Sequence, residues 1–506
     1  MSRLARAAPW LLAVVVVLVY LPSLAGGYLN WDDPWLIRDN PVLANGSPHA
    51  LLSIWTDLSR ETRLTLGAEY LPVRDTELWL EARLFGLGPQ LLRATSLGLY
   101  VVAVLLFRGA LHRALSSFAA AEVAAWAFAL HPVHVESVAW LAGRKDVLAL
   151  VFVAAALFFY AGSSRNRLWS VPLSLALAHL SKSMTVTAVG LLFVHDLLAR
   201  RKPEWRVLGI SMAIAVAALA VHMKVGHVVH MTVPPAGGSR LAQLATMGPV
   251  WLRYLVVLVW PPALSLVHDV PVRTSFDALS ALGYLAVVGW GVAGVVLWRK
   301  RDQRIVLASF AWFVVPLAPV SQVLFPLQNQ MADRYLFLSV MAVALLLGAV
   351  AARFARPGVA LGGVAIAGWA FATLNRGSLF ADSIAAFSDA TKKTQYATMA
   401  PYQLGQAYEE IGVDARAIAA YREVLRRSEG HDEAGRRATN NLAKLLARHG
   451  DLPGAERVLR SGRQRFPDDP KMRNNLIQVL LRQGRTREAK ELQSQAQSGE
   501  NSAKSR

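Results

Sequence analysis

The segment HPVHVESVAWLAGRKD, residues 131–146, sets His131, His134, Glu136, Arg144, Lys145 and Asp146 between apolar runs at 117–130 and 146–161. Ionisable groups at membrane depth are costly, so they face a protein interior or a water-filled cavity and mark function. The same residues also suit a plain connecting turn, with Pro132 in a first helical turn and Asp146 capping the next helix. On either reading the chain to each side is membrane helix.

Of the 506 residues, 54% are hydrophobic and the mean hydropathy is +0.35, too apolar for an ordinary soluble protein. The formal net charge of +19 collects in short clusters between apolar runs, among them Arg108 with Arg113, Arg165 with Arg167, Arg200 with Arg201 and Lys202, and Arg299 with Lys300 and Arg301. That is the pattern of cytoplasmic loops, and it points away from nucleic acid as a partner. With no cysteine in the chain, disulfides and thiolate metal sites are excluded.

Arg3 and Arg6 precede an apolar run at 10–21, and Ser23-Leu24-Ala25 also suits a signal-peptidase site, so the first run is an anchor or a cleaved signal. Either way the next loop, 28–92, is exported, and it opens on Asp32 and Asp33. Adjacent carboxylates repel, which raises one pKa and suits a base or a metal ligand; a capping pair before Pro34 is the plain alternative. Further runs at 93–111, 117–130, 146–161, 169–180, 184–199, 205–222, 279–298, 305–320, 335–352 and 357–374 alternate around the basic clusters. Residues 251–262, inside an exported loop at 223–278, are expected to form a re-entrant or interfacial helix, because a full crossing there would place Arg299, Lys300 and Arg301 outside. The expectation is all-α: a polytopic membrane domain over 1–375 with about eleven spans, N-terminus in the cytoplasm.

That topology puts Asp32 and Asp33, residues 131–146, Lys182, the 224–240 loop, His268 with Asp269, and Gln330 to Tyr335 on one exported face. As strings, residues 131–146, Leu180-Ser181-Lys182-Ser183-Met184, Arg253-Tyr254-Leu255 with Trp260-Pro261, and Met331-Ala332-Asp333-Arg334-Tyr335 resemble bacterial relatives of the transmembrane-and-TPR protein O-mannosyltransferases, membrane glycosyltransferases of the GT-C superfamily. The likeness covers most of 28–345. Leu71 stands where the family's Tyr-Arg-Pro-Leu piece has arginine, with Arg74 one turn away, and Ser183 stands where it has proline.

Past residue 376 the composition turns soluble and repetitive. Leu404, Gly405, Tyr408, Gly412, Ala417 and Tyr421 fit the 34-residue TPR template, and further units place Leu442, Gly450 and Ala455, then Leu476, Gly484 and Ala489. An α-solenoid is expected over 376–493, with Asn440, Asn441, Asn474 and Asn475 on a concave, peptide-holding face, and a disordered tail over 494–506.

The resemblance implies inverting transfer of a sugar, mannose in the better-known relatives, from a polyprenyl-phosphate donor to Ser or Thr of an exported protein held by the repeats. In that chemistry Asp32 is the candidate base, with Asp33 orienting it or replacing it. Arg144, Lys145, Lys182 and Arg334 are candidates for the donor phosphate. Snorkelling, or pairing with Asp146 and Asp333, is their plain role. His131 and His134, with Glu136, make either a divalent-metal site or hydrogen bonds. The implied setting is a bacterial inner membrane with the repeats in the periplasm. A membrane-anchored TPR scaffold without catalysis is the alternative.

Overall fold

The structure is a computed structural model that describes residues 3–162, 166–231, 233–323, 325–428 and 432–494, and no β-strand occurs among them. Arg165 and nearly all of the expected disordered tail lie outside these residues. Contacts divide the chain into one unit of residues 1–264 with 270–382, and another of 265–269 with 383 onward.

In the first unit, α1 (Arg3–Tyr20) leads to four short loop helices, α2 (Pro41–Ala44), α3 (Pro48–Thr56), α4 (Arg60–Thr65) and α5 (Pro72–Leu84). Asn40, Ser47 and Ser59 cap the first three with side-chain oxygens, each taking one or two of the unpaired N–H groups of the first turn. Then follow α6 (Pro89–Ala114), α7 (Phe118–Ala129), the short α8 (His134–Ala139), α9 (Arg144–Ala161), α10 (Arg167–Ser181), α11 (Val189–Ala199), α12 (Trp205–Val228), α13 (Arg240–Val259), α14 (Ala278–Arg301), α15 (Arg304–Leu317) and α16 (Val340–Leu379). Among the described residues, six helices are long and apolar enough to cross a bilayer: α6, α12, α13, α14, α16 and the first, over Ala7–Ala25. The other apolar runs form helices of 11 to 18 residues, α7, α9, α10, α11 and α15, shorter than a perpendicular crossing needs. The expected spans are therefore met in position, while eleven full crossings are not established. The two final runs are two helices, here labelled together as α16, separated by a kink at Ala355 (φ 49°, ψ −123°) two residues before Pro357.

Helix ends collect at two poles. At one, Arg113 donates to the Phe158 carbonyl at 2.6 Å, Arg201 to Tyr160 at 3.0 Å, Arg167 meets Glu204 at 3.0 Å, and Arg200 meets Asp302 at 2.6 Å. These are the basic turns. At the other pole lie residues 28–33, 131–146, 182 and 331–337, so the alternation of α6, α7 and α9–α12 expected from charge is reproduced in their packing. Small residues allow the close approaches that hold helices together without a hydrophobic drive in lipid: a Cβ on Gly348 would stand 2.6 Å from the Ala120 carbonyl.

Helix α13 departs from expectation, since it starts at Arg240, runs through Pro249 and has the length to cross. Besides packing on α14 and α15, it bonds loops of the motif-bearing pole: Gln243 bonds Gln322 at 2.9 Å, the Tyr254 hydroxyl accepts from Ala332 N–H at 3.4 Å, and the Leu258 carbonyl meets His131 Nε2 at 3.0 Å. Helix α14 begins against its middle, where Ser280 donates to the Ala245 carbonyl at 2.8 Å. Also unlike the expectation, Lys224 and His227 belong to α12 rather than to a loop.

The second unit is a run of antiparallel helices, α17 (Ser383–Lys393), α18 (Met399–Glu410), α19 (Asp414–Ser428), α20 (Glu433–Arg448), α21 (Leu452–Arg465) and α22 (Pro470–Arg482), with a last helix over 486–494. Ala417, Tyr421, Leu442, Ala455, Leu459, Leu476 and Leu480 form its continuous core. The turns inside the second and third pairs use left-handed glycines, Gly450 at φ 83° and Gly484 at φ 78°, 34 positions apart. The step from the first pair to the second is longer by four residues, one in α19 (15 residues against 14 in α21) and three in α20 (16 against 13 in α22). Asp269 belongs to this unit, where its carboxylate accepts N–H bonds from Gln395, Tyr396 at 3.1 Å and Ala397 at 2.6 Å. The asparagines expected to hold peptide bond one another and their neighbours: Asn475 donates to Asn440 at 2.8 Å and Asn441 to the Tyr421 hydroxyl at 3.2 Å, while Asn474 is exposed. Asp469 caps α22 through Met472 N–H at 2.7 Å and also pairs with Arg436. Asp469→Ala is expected to cost about 1–2 kcal/mol, the value of a cap, and to speed amide exchange selectively in α22 of the full chain; uniform exchange across α18–α22 would contradict this.

Candidate active site

The two acids after the first helix have different fates. Asp33 is buried, with Oδ2 accepting Leu29 N–H and Oδ1 accepting Ala142 N–H, both at 2.9 Å. It staples the start of the loop after α1 to the far end of the 131–146 segment. Burial pushes its pKa up to about 7 against the pull of those two bonds and of Arg93, with Asp32 a lesser upward influence. Both oxygens are engaged by main chain, so Asp33 is an organiser rather than a second base. Asp32 remains partly accessible, its pKa raised by burial and restrained by Lys145 and Arg334. Burial, more than mutual repulsion, perturbs the pair.

Among the expected phosphate ligands, Arg144 is withdrawn from the site. It is buried and pairs with Glu77 and, at 2.6 Å, Glu81 of α5, which are positions the sequence reading passed over. Lys145 pairs with Glu69, Lys182 with Asp146 at 2.7 Å, and Arg334 with Glu136 at 2.7 Å. Although burial opposes it, the cations Lys145, Arg74 and Lys182 hold the Glu69 carboxyl down at about 2. Each ammonium has three N–H donors and the guanidinium five, so one carboxylate partner leaves capacity for phosphate oxygens. Lys182 and Asp146 form the polar wall of a narrow cleft whose other sides include Ala149, Leu150, Met184 and Leu338. Asp333 points away from these cations and pairs with Arg376 at 2.9 Å. Arg74, one turn from the missing family arginine, is buried against Asp75 at 2.5 Å and lies 3.7 Å from Glu69.

The histidines do not make a metal site with Glu136. His131 accepts Val133 N–H on Nδ1 at 3.2 Å and reaches the Leu258 carbonyl with Nε2 at 3.0 Å. His134 meets the Phe337 carbonyl through Nε2 at 2.9 Å and the Tyr100 hydroxyl through Nδ1 at 2.8 Å. All four ring nitrogens are engaged, the rings stand 6.4 Å apart edge to face, and no three His, Asp or Glu groups converge on a metal position among the described residues. Burial pushes the two imidazoles down to about 4 and about 3, so both are neutral struts joining α7–α8 to α13 and to the 331–337 segment.

Two arginines carry more of the site's architecture than the sequence suggested. Arg93, fully buried in the first turns of α6, donates to the carbonyls of Ala139 and Gly27 at 2.7 Å each and of Phe380 at 3.1 Å. Arg376 fixes Asp333, the neighbour of Arg334. Their only sequence signal was an arginine at the end of an otherwise apolar helix, which charge statistics assign to the interface.

No protein-family model matches the chain. A protein O-mannosyl-transferase of Caenorhabditis elegans is 25% identical over 344 residues, which are 65% of this chain and 49% of that protein. The human protein O-mannosyl-transferase TMTC1 is 29% identical over 204 residues, 37% of this chain and 23% of its own, and human TMTC3 is 28% identical over 198 residues, 37% and 21%. These are members of the family that the motifs of residues 28–345 resemble. The chain spans about half the length of the nematode relative and less of the human ones. Among solved structures, an Archaeoglobus fulgidus oligosaccharyltransferase tethered with an acceptor peptide aligns with a TM-score of 0.39 and 14% identity over 84% of this chain and 60% of that one.

Proposed function

We propose that the chain is a membrane glycosyltransferase that moves a hexose such as mannose from a polyprenyl-phosphate donor to Ser or Thr hydroxyls of exported proteins. The observation that carries this reading is the partly accessible carboxylate of Asp32 set beside Lys145 and Arg334, at the pole opposite the basic turns. Relatives named as protein O-mannosyl-transferases support the same class of chemistry. In the reaction Asp32 accepts the hydroxyl proton as the acceptor oxygen attacks the anomeric carbon. The bond from that carbon to the phosphate oxygen breaks, the configuration inverts, and the phosphate leaves with its electron pair toward Lys145, Lys182 and Arg334. The basic pole lies in the cytoplasm and the site on the exported side of a bacterial inner membrane, with the repeats in the periplasm engaging the acceptor.

One observation favours the scaffold reading instead: each site cation already has a carboxylate partner. The decisive comparison is of intact exported-protein masses and lipid-linked sugar pools in cells with wild type, a deletion, and Asp32→Asn. Loss of the same hexose mass and donor accumulation in both mutants supports transfer; full rescue of the deletion by Asp32→Asn supports the scaffold. Lys182→Ala is expected to raise the donor KM roughly 10- to 100-fold, the worth of a charge-assisted hydrogen bond, with a smaller change in kcat. An unchanged donor KM would leave Lys182 only its structural pairing with Asp146.

A further inference from the structure

Two polar atoms at the site are buried without a hydrogen-bond partner in the protein, Glu136 Oε2 and Trp140 Nε1. The first can only accept when ionised and the second can only donate. The residues are four apart, and Trp140 N–H donates to the Glu136 carbonyl at 3.1 Å, so their side chains share a helical face. Both lie against one guanidinium: Arg334 donates to Glu136 Oε1 at 2.7 Å and sits 5.4 Å above the Trp140 ring. The Trp31 indole, adjacent to Asp32, packs on Trp140 at 5.6 Å.

A buried donor and a buried acceptor left open cost free energy unless a bound group or a water fills them, so each calls for an explanation. The missing group must both donate and accept, as a hydroxyl does. A phosphate would be repelled by Glu136, and an ammonium would find that carboxylate already neutralised by Arg334. We propose that Glu136, Trp140 and Arg334 form the sugar subsite, in which Glu136 Oε2 accepts from, and Trp140 Nε1 donates to, hydroxyls of the transferred hexose. Indole faces suit the apolar C–H side of a pyranose, and Arg334 then lies between the sugar and its phosphate. This assignment rests on the lipid-linked-sugar reading above.

The test is equilibrium binding of polyprenyl-phosphate mannose and of bare polyprenyl phosphate to the full-length protein in detergent. Wild type is expected to prefer the sugar-bearing lipid by about 10-fold, the worth of one or two hydrogen bonds in a desolvated site. Trp140→Phe keeps a ring under Arg334 but lacks the N–H, and Glu136→Gln keeps the shape but turns an acceptor into a donor. Each is expected to bring the preference close to one. Bare-phosphate affinity is expected to stay unchanged in Trp140→Phe and to be kept or raised in Glu136→Gln, which frees Arg334 from its ion pair. Retained binding also reports that the variant is folded. Should one variant lose bare-phosphate binding altogether, the other decides. A preference that survives in the folded variants, or is absent from wild type, overturns the subsite and means that the orphans hold only water. A preference that the variants abolish, in a protein that transfers nothing, keeps the subsite and removes the catalytic reading instead.

Discussion

Asp32→Asn is expected to lower kcat for sugar transfer by roughly 10³-fold while leaving donor binding, expression and membrane insertion as in wild type, because a positioned base contributes about 10²- to 10⁴-fold. The amide keeps the shape and removes only the proton acceptor. Wild-type activity should also show an acid limb above the ordinary carboxylate value of 3.8, since burial raises the Asp32 pKa. The sign follows from the role: the base works ionised, so activity is lost as pH falls through the raised pKa, and the mutant's residual rate should lack that limb. Asp33→Asn should behave differently. It weakens the bonds to Leu29 and Ala142 and makes the protein thermally labile, with kcat recovering at low temperature. If Asp33→Asn is the variant that is folded yet dead, and Asp32→Asn transfers normally, the assignment within the pair is reversed.

Sequence alone singled out these residues because ionisable groups in apolar surroundings are rare enough to stand out, and Lys145, Lys182, Arg334, Glu136 and Asp146 do meet at one pole. Their pairing was not legible. Whether Arg144 or Lys145 faces the site depends on which turn of α9 meets α5, and Glu69, Glu77 and Glu81 lie in a loop with no periodic signal strong enough to orient its helices. The metal reading of His131 and His134 failed for a related reason. A three-residue spacing puts side chains on one face only inside a regular helix, and α8 begins at His134, so His131 sits in the preceding turn and its ring turns to Leu258. Helix α13 shows the converse limit: its length and hydropathy permit a crossing, although the charge pattern after it argued for a re-entrant helix.

Arg93→Met should be the most damaging change outside the chemistry itself. The guanidinium ties three segments distant in sequence, the loop after α1 at Gly27, the end of α8 at Ala139 and the close of the membrane unit at Phe380, and it also faces Asp33. Methionine fills the stem but leaves buried carbonyls unpaired and Asp33 without its cation. Removing one partner from a buried charged network costs about 3–5 kcal/mol, a large part of a typical stability margin. The expected result is a sharply lower thermal midpoint in detergent and rapid amide exchange at Ala142, whose N–H is held by Asp33. Arg93→Lys retains the charge, yet one ammonium cannot span three carbonyls, so it should fall between the two. Gly26→Ala tests the same knot from the other side, because a Cβ there would stand against Arg93 Nη1 and the Phe380 carbonyl. A stable Arg93→Met protein with protected Ala142 would show that the three segments are held by apolar packing and that the arginine is a passenger.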